Sequence, residues 1–159
     1  MTEWPTYEPG PVERLRALGA TVPWNAYAEM HVPASPERVW ELLSDLPRQL
    51  PRMVTDLRSA HWQGDELFVR GWLGQRARFA LRMHGRWCWM QSRFLIGGFA
   101  VDADGTGARV AFLGALRLPG LTPTRRWSRL TAPLARRALR RLAVDVADAE
   151  RPRSTPPKA

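Results

Sequence analysis

Cysteine is nearly absent from this 159-residue chain, Cys88 being the only one. That excludes an internal disulfide and a multi-cysteine metal site, and it suits a reducing compartment. Lysine is as scarce: Lys158 stands alone among 24 basic residues, the rest being arginine. No apolar run approaches the roughly 20 residues that a membrane-spanning helix needs. The first residues, MTEWPTYEPGPVER, hold acids and prolines and no apolar stretch, so they do not read as a secretory signal. Together these features predict a soluble, cytoplasmic protein. The histidines, His31, His61 and His84, are too scattered to form a metal motif by spacing. HExxH, GxSxG and a glycine-rich phosphate loop are all missing. Neither a metal nor a cofactor is expected.

What is present is one domain's worth of apolar sequence, 45% of the residues. The formal charge is +9, and it is uneven. Residues 119–159 hold ten basic and three acidic residues, or +7, and residues 1–118 hold fourteen and twelve, or +2. Such a C-terminal excess reads either as a solvated helix face or as an attraction to anionic lipid or nucleic acid. Nucleic acid is the weakest partner class, because no reading motif or aromatic platform accompanies the arginines.

Along the chain, Val12, Leu15 and Leu18 predict a short helix from Pro11 to Leu18, stopped by Gly19. Asn25 to Val32 reads as a first strand. Ser35 then caps a helix with Pro36 in its first position and Glu37 at its positive end. Val39, Trp40, Leu42 and Leu43 form its buried stripe, with Trp40 as the anchor. Leu46 to Met53 is a second short helix. From Val54 to Leu118 the sequence alternates strands with turns at Gln63-Gly64-Asp65, Gly74-Gln75, His84-Gly85, Gly97-Gly98 and Asp104-Gly105-Thr106-Gly107. Strands are predicted near 54–62, 67–73, 76–83, 86–95, 99–103 and 108–117, an antiparallel meander. Pro119 and Pro123 end it. Thr131 caps a last helix that begins at Ala132-Pro133 and runs to about Ala149. Leu134, Ala138, Leu139, Leu142 and Val146 lie on one side of it, and Arg136, Arg137, Arg140 and Arg141 on the other. The organisation is thus an N-terminal extension with a short helix (1–22), a main domain (23–150) and a disordered basic tail (151–159).

The stretch Val32-Pro33-Ala34-Ser35-Pro36-Glu37-Arg38-Val39-Trp40-Glu41-Leu42-Leu43-Ser44-Asp45 resembles the SRPBCC or START-like superfamily, which includes bacterial polyketide cyclase/dehydrase-like proteins. Asp104-Gly105-Thr106 and the Arg109–Leu116 strand resemble that superfamily's penultimate hairpin. The resemblance covers about residues 24–149. It implies an α+β helix-grip fold: a seven-stranded curved antiparallel sheet wrapped around a long C-terminal helix, with two short helices after the first strand. It also implies a ligand cavity between sheet and helix.

Alternation proposes the lining. In strand 76–83, Phe79, Leu81 and Met83 point inward. If His84-Gly85 is a two-residue turn, Met83 faces Arg86 and Leu81 faces Cys88, and Cys88, Met90, Ser92 and Phe94 share the inner face. Phe112 on the last strand and Leu134, Ala138 and Leu142 on the last helix complete the set. His61 and Arg70 are the polar candidates for the cavity, and Cys88 reads as an inert thiol. Trp87 and Trp89 then point outward beside Arg78 and Arg82, whose charges suit cation–π contacts. The N-terminal segment, with Trp4, Tyr7, Leu15 and Leu18, is placed to cover them.

Two functions fit. One is a carrier of a hydrophobic small molecule such as a lipid, isoprenoid or polyketide, with peripheral contact to an anionic membrane through the C-terminal arginines and Trp127. The other is a cofactor-independent polyketide cyclase or dehydratase using the same cavity.

Overall fold

The computed structural model describes residues 7–117, 120 and 125–151, with side chains from Arg129 onward in the last segment. Expectations for Trp4, Pro119, Pro123, the tail from 152 on, and the side chains of Arg125, Arg126 and Trp127 lie outside the described residues. The elements run α1 (Pro11–Thr21), β1 (Asn25–Val32), α2 (Pro36–Ser44), α3 (Leu46–Met53), β2 (Leu57–Gln63) and β3 (Glu66–Gly71). Then follow β4 (Arg76–His84), β5 (Trp87–Gln91), β6 (Leu95–Asp104), β7 (Gly107–Leu116) and α4 (Arg125–Glu150). The strands form one antiparallel sheet in the order β1-β7-β6-β5-β4-β3-β2. Neighbours in sequence pair from β2 onward, and β1 returns to pair with β7. The curved sheet grips α4 on one face, with α2 and α3 beside it.

Local chemistry explains the helices. The Ser35 hydroxyl accepts from the Arg38 N–H at 3.2 Å, which satisfies one of the free donors at the start of α2. Val39 and Leu43 are buried, and Trp40 and Leu42, half-buried, pack against the same core, so Trp40 shares the anchoring of this helix with Val39 and Leu43. From α3, Arg52 donates both Nε (3.0 Å) and Nη2 (2.6 Å) to Asp145 of α4, and buried Gln49 donates to the same carboxylate at 2.9 Å. This charge-assisted fork fixes α3 against α4. Burial alone would raise the Asp145 carboxyl, but the hydrogen bonds from Arg52 and Gln49 outweigh it and hold the group below its ordinary range.

Two apolar layers sandwich the sheet. The inner one joins alternate strand residues such as Leu67, Phe79, Phe99 and Val110 to Leu139, Leu142 and Val146 of α4. The outer one sets Val12 and Leu15 of α1 on Ile96, Ala100, Ala111 and Leu113, with Trp87 and Trp89 at its margin. The expected N-terminal cover is therefore α1, with Leu15 fully buried. Tyr7 takes no part in it: it is 75% exposed and its hydroxyl donates to Glu13. The Asp102 carboxylate on β6 accepts from the Val12 N–H at 3.0 Å, so the sheet itself caps α1.

Several local expectations are corrected. Gly97-Gly98 is no turn but lies within β6. A Cβ on Gly97 would stand 2.8 Å from Met90 Cε, and one on Gly98 would stand 2.6 Å from Leu15 Cδ1. Close packing on both faces, not turn geometry, requires glycine here. The β4–β5 turn is Gly85-Arg86, with Gly85 at φ 56°, so Leu81 faces Met90 and Met83 faces Cys88. The slip is two residues, which leaves every side chain on its expected face. Gly19 lies inside α1, buried where the helix meets Leu113 and Tyr27. α4 begins at Arg125, with Pro133 inside it. Thr131 lies inside α4 rather than at its start, and its hydroxyl donates to the Asn25 carbonyl at 2.8 Å, tying α4 to β1. The cation–π pairs among the described residues are Arg58 over Trp72 and Arg93 over Phe94, while Arg78 pairs with Glu66 at 3.4 Å.

Candidate functional site

A pocket of about 470 Å³ opens between the inner sheet face, α3 and the N-terminal half of α4. That volume falls within the roughly 300–1,000 Å³ of small-molecule sites. Its origin lies in the register. Ala26 of β1 sits opposite Gly114 of β7, Gly114 opposite Gly97 of β6, and Gly97 opposite Met90 of β5. All four point inward and line the pocket. Three adjacent strands thus present almost no side chain at one level of the sheet; Met90 fills the place over Gly97, and the small residues Ala26 and Gly114 leave the space beside it. Phe112 closes one end, its ring edge near the place where a Cβ of Gly114 would be. Phe99 backs Phe112, with ring centroids 5.3 Å apart. Val69 and Phe79 form the wall on the β3–β4 side, Leu50 and Met53 that on α3, and Leu134 and Ala138 that on α4.

Of the residues expected to line a cavity, the structure brings together Phe79, Met90, Phe112, Leu134 and Ala138. The others stand elsewhere. Leu142 is fully buried in the core beyond the pocket, and Cys88, 1% exposed, lies one inward position past Met90. Burial pushes the Cys88 thiol up to about 12, which leaves it protonated and unreactive at neutral pH. Leu81 packs half-buried against the core margin, and Met83 is 43% exposed. Ser92 serves a turn, its hydroxyl accepting from the Leu95 N–H at 3.0 Å.

The polar candidates are corrected outright. On β3 the inward residues are Leu67 and Val69, so Arg70 points outward and is exposed. His61 pairs with Phe68 on that same outer face and stacks on its ring at 5.8 Å. Tyr27 and Glu29 also face outward. Glu29 accepts from Arg16 and from Tyr27, each at 2.6 Å, and the Arg16 contact is the main reason its carboxyl is held low.

The polar groups that do border the pocket are Trp24, Thr55, Asp56, Thr131 and Arg137, and sequence reasoning assigned none of them to it. Thr55, Asp56 and Arg137 are exposed, as are Leu116 and Leu134, and together they mark the mouth. The described lining is therefore apolar in its depth and polar at its rim. Such a site desolvates an apolar body and leaves a polar head near water.

No protein-family model matches the chain, and no curated protein does. Solved structures do. XoxI from Bacillus cereus superposes with a TM-score of 0.63 at 16% identity, over 81% of this chain and 99% of that one. A START superfamily protein from Mycobacterium smegmatis gives 0.60 at 12% identity, over 79% and 98%. A Thermus thermophilus protein gives 0.57 at 20% identity, over 80% and 99%. Likeness at such identities concerns the path of the chain and not its chemistry. On that likeness and its own strand order, this chain has the START-like helix-grip fold.

Proposed function

We propose that this protein binds and carries a hydrophobic small molecule in the pocket between sheet and α4. The observation that supports this most is the inward pair Ala26 and Gly114, where a larger side chain on β7 would find no obstacle nearer than the Phe112 ring at 3.6 Å, beside Gly97, whose place Met90 takes. The apolar depth favours a hydrocarbon-rich body, of lipid, isoprenoid or polyketide type. Asp56, Thr131 and Arg137 at the rim would meet a polar head group. A cyclase or dehydratase would need an acid and a base converging on the bound chain. The titratable side chains in the described lining, Asp56 and Arg137, stand at the mouth, which keeps the carrier reading ahead. Native mass spectrometry of freshly purified protein tests it. A co-purified apolar molecule, released on unfolding and displaced by 1-anilinonaphthalene-8-sulfonate, is the expected result. Protein that carries nothing and does not bind that probe would overturn the reading.

A further inference from the structure

The mouth of the pocket is unlike the rest of the surface. Six of the ten large apolar side chains exposed among the described residues gather there: Trp72, Leu73, Phe94, Leu116, Leu130 and Leu134. They come from separate elements that the register brings to one end of the sheet. The Trp72 N–H donates to the carbonyl of Asp56, which borders the pocket. The Arg117 N–H donates to the Phe94 carbonyl beside Leu95 and Leu116, which also border it. Leu130 and Leu134 lie one turn apart on α4, and Leu134 is in the lining. Leu73 is 94% exposed and Leu130 is 70% exposed. Soluble surfaces rarely hold so many apolar side chains together without a partner.

Charge separates the two ends of the sheet. At the far end, Arg86 pairs with Glu37, Arg109 with Asp104 and Arg78 with Glu66, and Asp65 and Asp102 add further acids. At the mouth stand Arg58, Arg93, Arg117, Arg129 and Arg137, all exposed, against Asp56 as the single acid among the described residues there. Among the described residues none of Arg58, Arg93, Arg117 and Arg137 has a carboxylate partner. Arg58 and Arg93 instead rest over the Trp72 and Phe94 rings, at 5.6 and 5.2 Å. Guanidinium groups beside half-exposed aromatic rings suit the boundary between lipid headgroups and hydrocarbon.

We propose that this end of the molecule docks on an anionic lipid surface, with Trp72, Leu73, Phe94 and Leu130 entering the interface and the arginines meeting headgroup phosphates. This moves the membrane contact expected of the outer arginine face of α4 to the pocket mouth. It also faces the pocket toward the membrane, so an apolar ligand could pass between them without crossing water. The docking rests on the surface pattern and not on the pocket having a ligand.

The test is co-sedimentation of the full chain with phosphatidylcholine vesicles, with and without phosphatidylglycerol, at low and high salt. Binding is expected only to the anionic vesicles, and it should weaken as the screening length shrinks to about 10 Å at 0.1 M salt. Arg58→Gln and Arg93→Gln should each weaken it about fivefold. Trp72→Ser with Leu73→Ser should abolish it while leaving the thermal midpoint unchanged. Arg136→Gln with Arg140→Gln, on the outer face of α4, should change it little. Gly114→Val, aimed at the pocket, should leave it intact, so failure of docking and failure of ligand binding are read separately. Three results would overturn the proposal: no preference for anionic vesicles at low salt, a larger loss from the α4 pair than from the mouth variants, or self-association that Trp72→Ser with Leu73→Ser dissolves.

Discussion

Gly114→Val separates a pocket from a packed core by the sign of its effect. Gly114 lies in the middle of the row that floors the pocket, and its backbone does not need glycine's conformational freedom. A Cβ there would meet the Phe112 ring at 3.6 Å, an ordinary contact, with no closer obstacle. Removing a strand glycine recovers about 0.5–1 kcal/mol of backbone entropy, and contact of the isopropyl group with Phe112 adds to that. The melting temperature is therefore expected to hold or to rise, by about 2–4 °C per kcal/mol in a chain of this size. Were the same space filled, the extra carbons would overpack it at a cost of about 1–3 kcal/mol and the midpoint would fall. Binding should move the other way. The valine occupies the centre of the pocket floor, so affinity for 1-anilinonaphthalene-8-sulfonate should drop at least about tenfold, equivalent to about 1.4 kcal/mol. Calorimetry and a fluorescence titration on one preparation give both numbers. A lowered midpoint with unchanged probe affinity would refute the reasoning, since it would mean that the row is core and the probe binds elsewhere.

Other consequences can be checked in the same protein. Leu15→Ala should cost about 2–5 kcal/mol, as buried leucine truncations do, and should red-shift tryptophan emission as water reaches Trp87 and Trp89; an unshifted spectrum at unchanged stability would remove α1 from the outer layer. The Cys88 thiol, pushed up to about 12 by burial, should not react with Ellman's reagent at pH 8 until the protein is unfolded, and rapid native labelling would contradict its placement. Asp145 is held below its ordinary range when folded, so its contribution to stability is present above the unfolded value of about 3.9 and is lost as pH falls through the lower, folded value. Asp145→Asn should then lower stability at pH 7 and lessen the fall between about pH 4 and pH 2, as followed by urea melts; equal losses at both ends of that range would place the effect elsewhere.

Much of the architecture was legible because it is written in local pattern. Leu46, Leu50 and Met53 recur at helical spacing with Pro47 in the first turn, and α3 falls on the predicted residues. Strand alternation put Phe79, Cys88 and Met90 inward and Trp87 and Trp89 outward, and these assignments survived a two-residue slip because parity did. The errors have physical causes. Glycine serves turn geometry and close packing alike, so Gly97-Gly98 read as a turn. Proline is tolerated in a first turn, so Pro133 read as the start of a helix that begins eight residues earlier. Arg70 follows the alternating pair Leu67 and Val69, so its outward direction could have been read from the sequence. The pocket itself could not. It depends on small residues at positions 26 and 114, next to Gly97 under Met90, which only the pairing of β1, β7 and β6 sets side by side.

At the Gly97-Gly98 step the wall between the pocket and the outer helix is one peptide thick. Met90 lies against it from within, and Leu15 and the Trp89 indole, 3.6 Å from the Cβ position of Gly98, touch it from without. No side chain of β6 cushions that partition. A ligand that displaced Met90 would press on the backbone against which the Trp89 indole rests, so Trp89 emission would be expected to report pocket occupancy although the indole never enters the pocket.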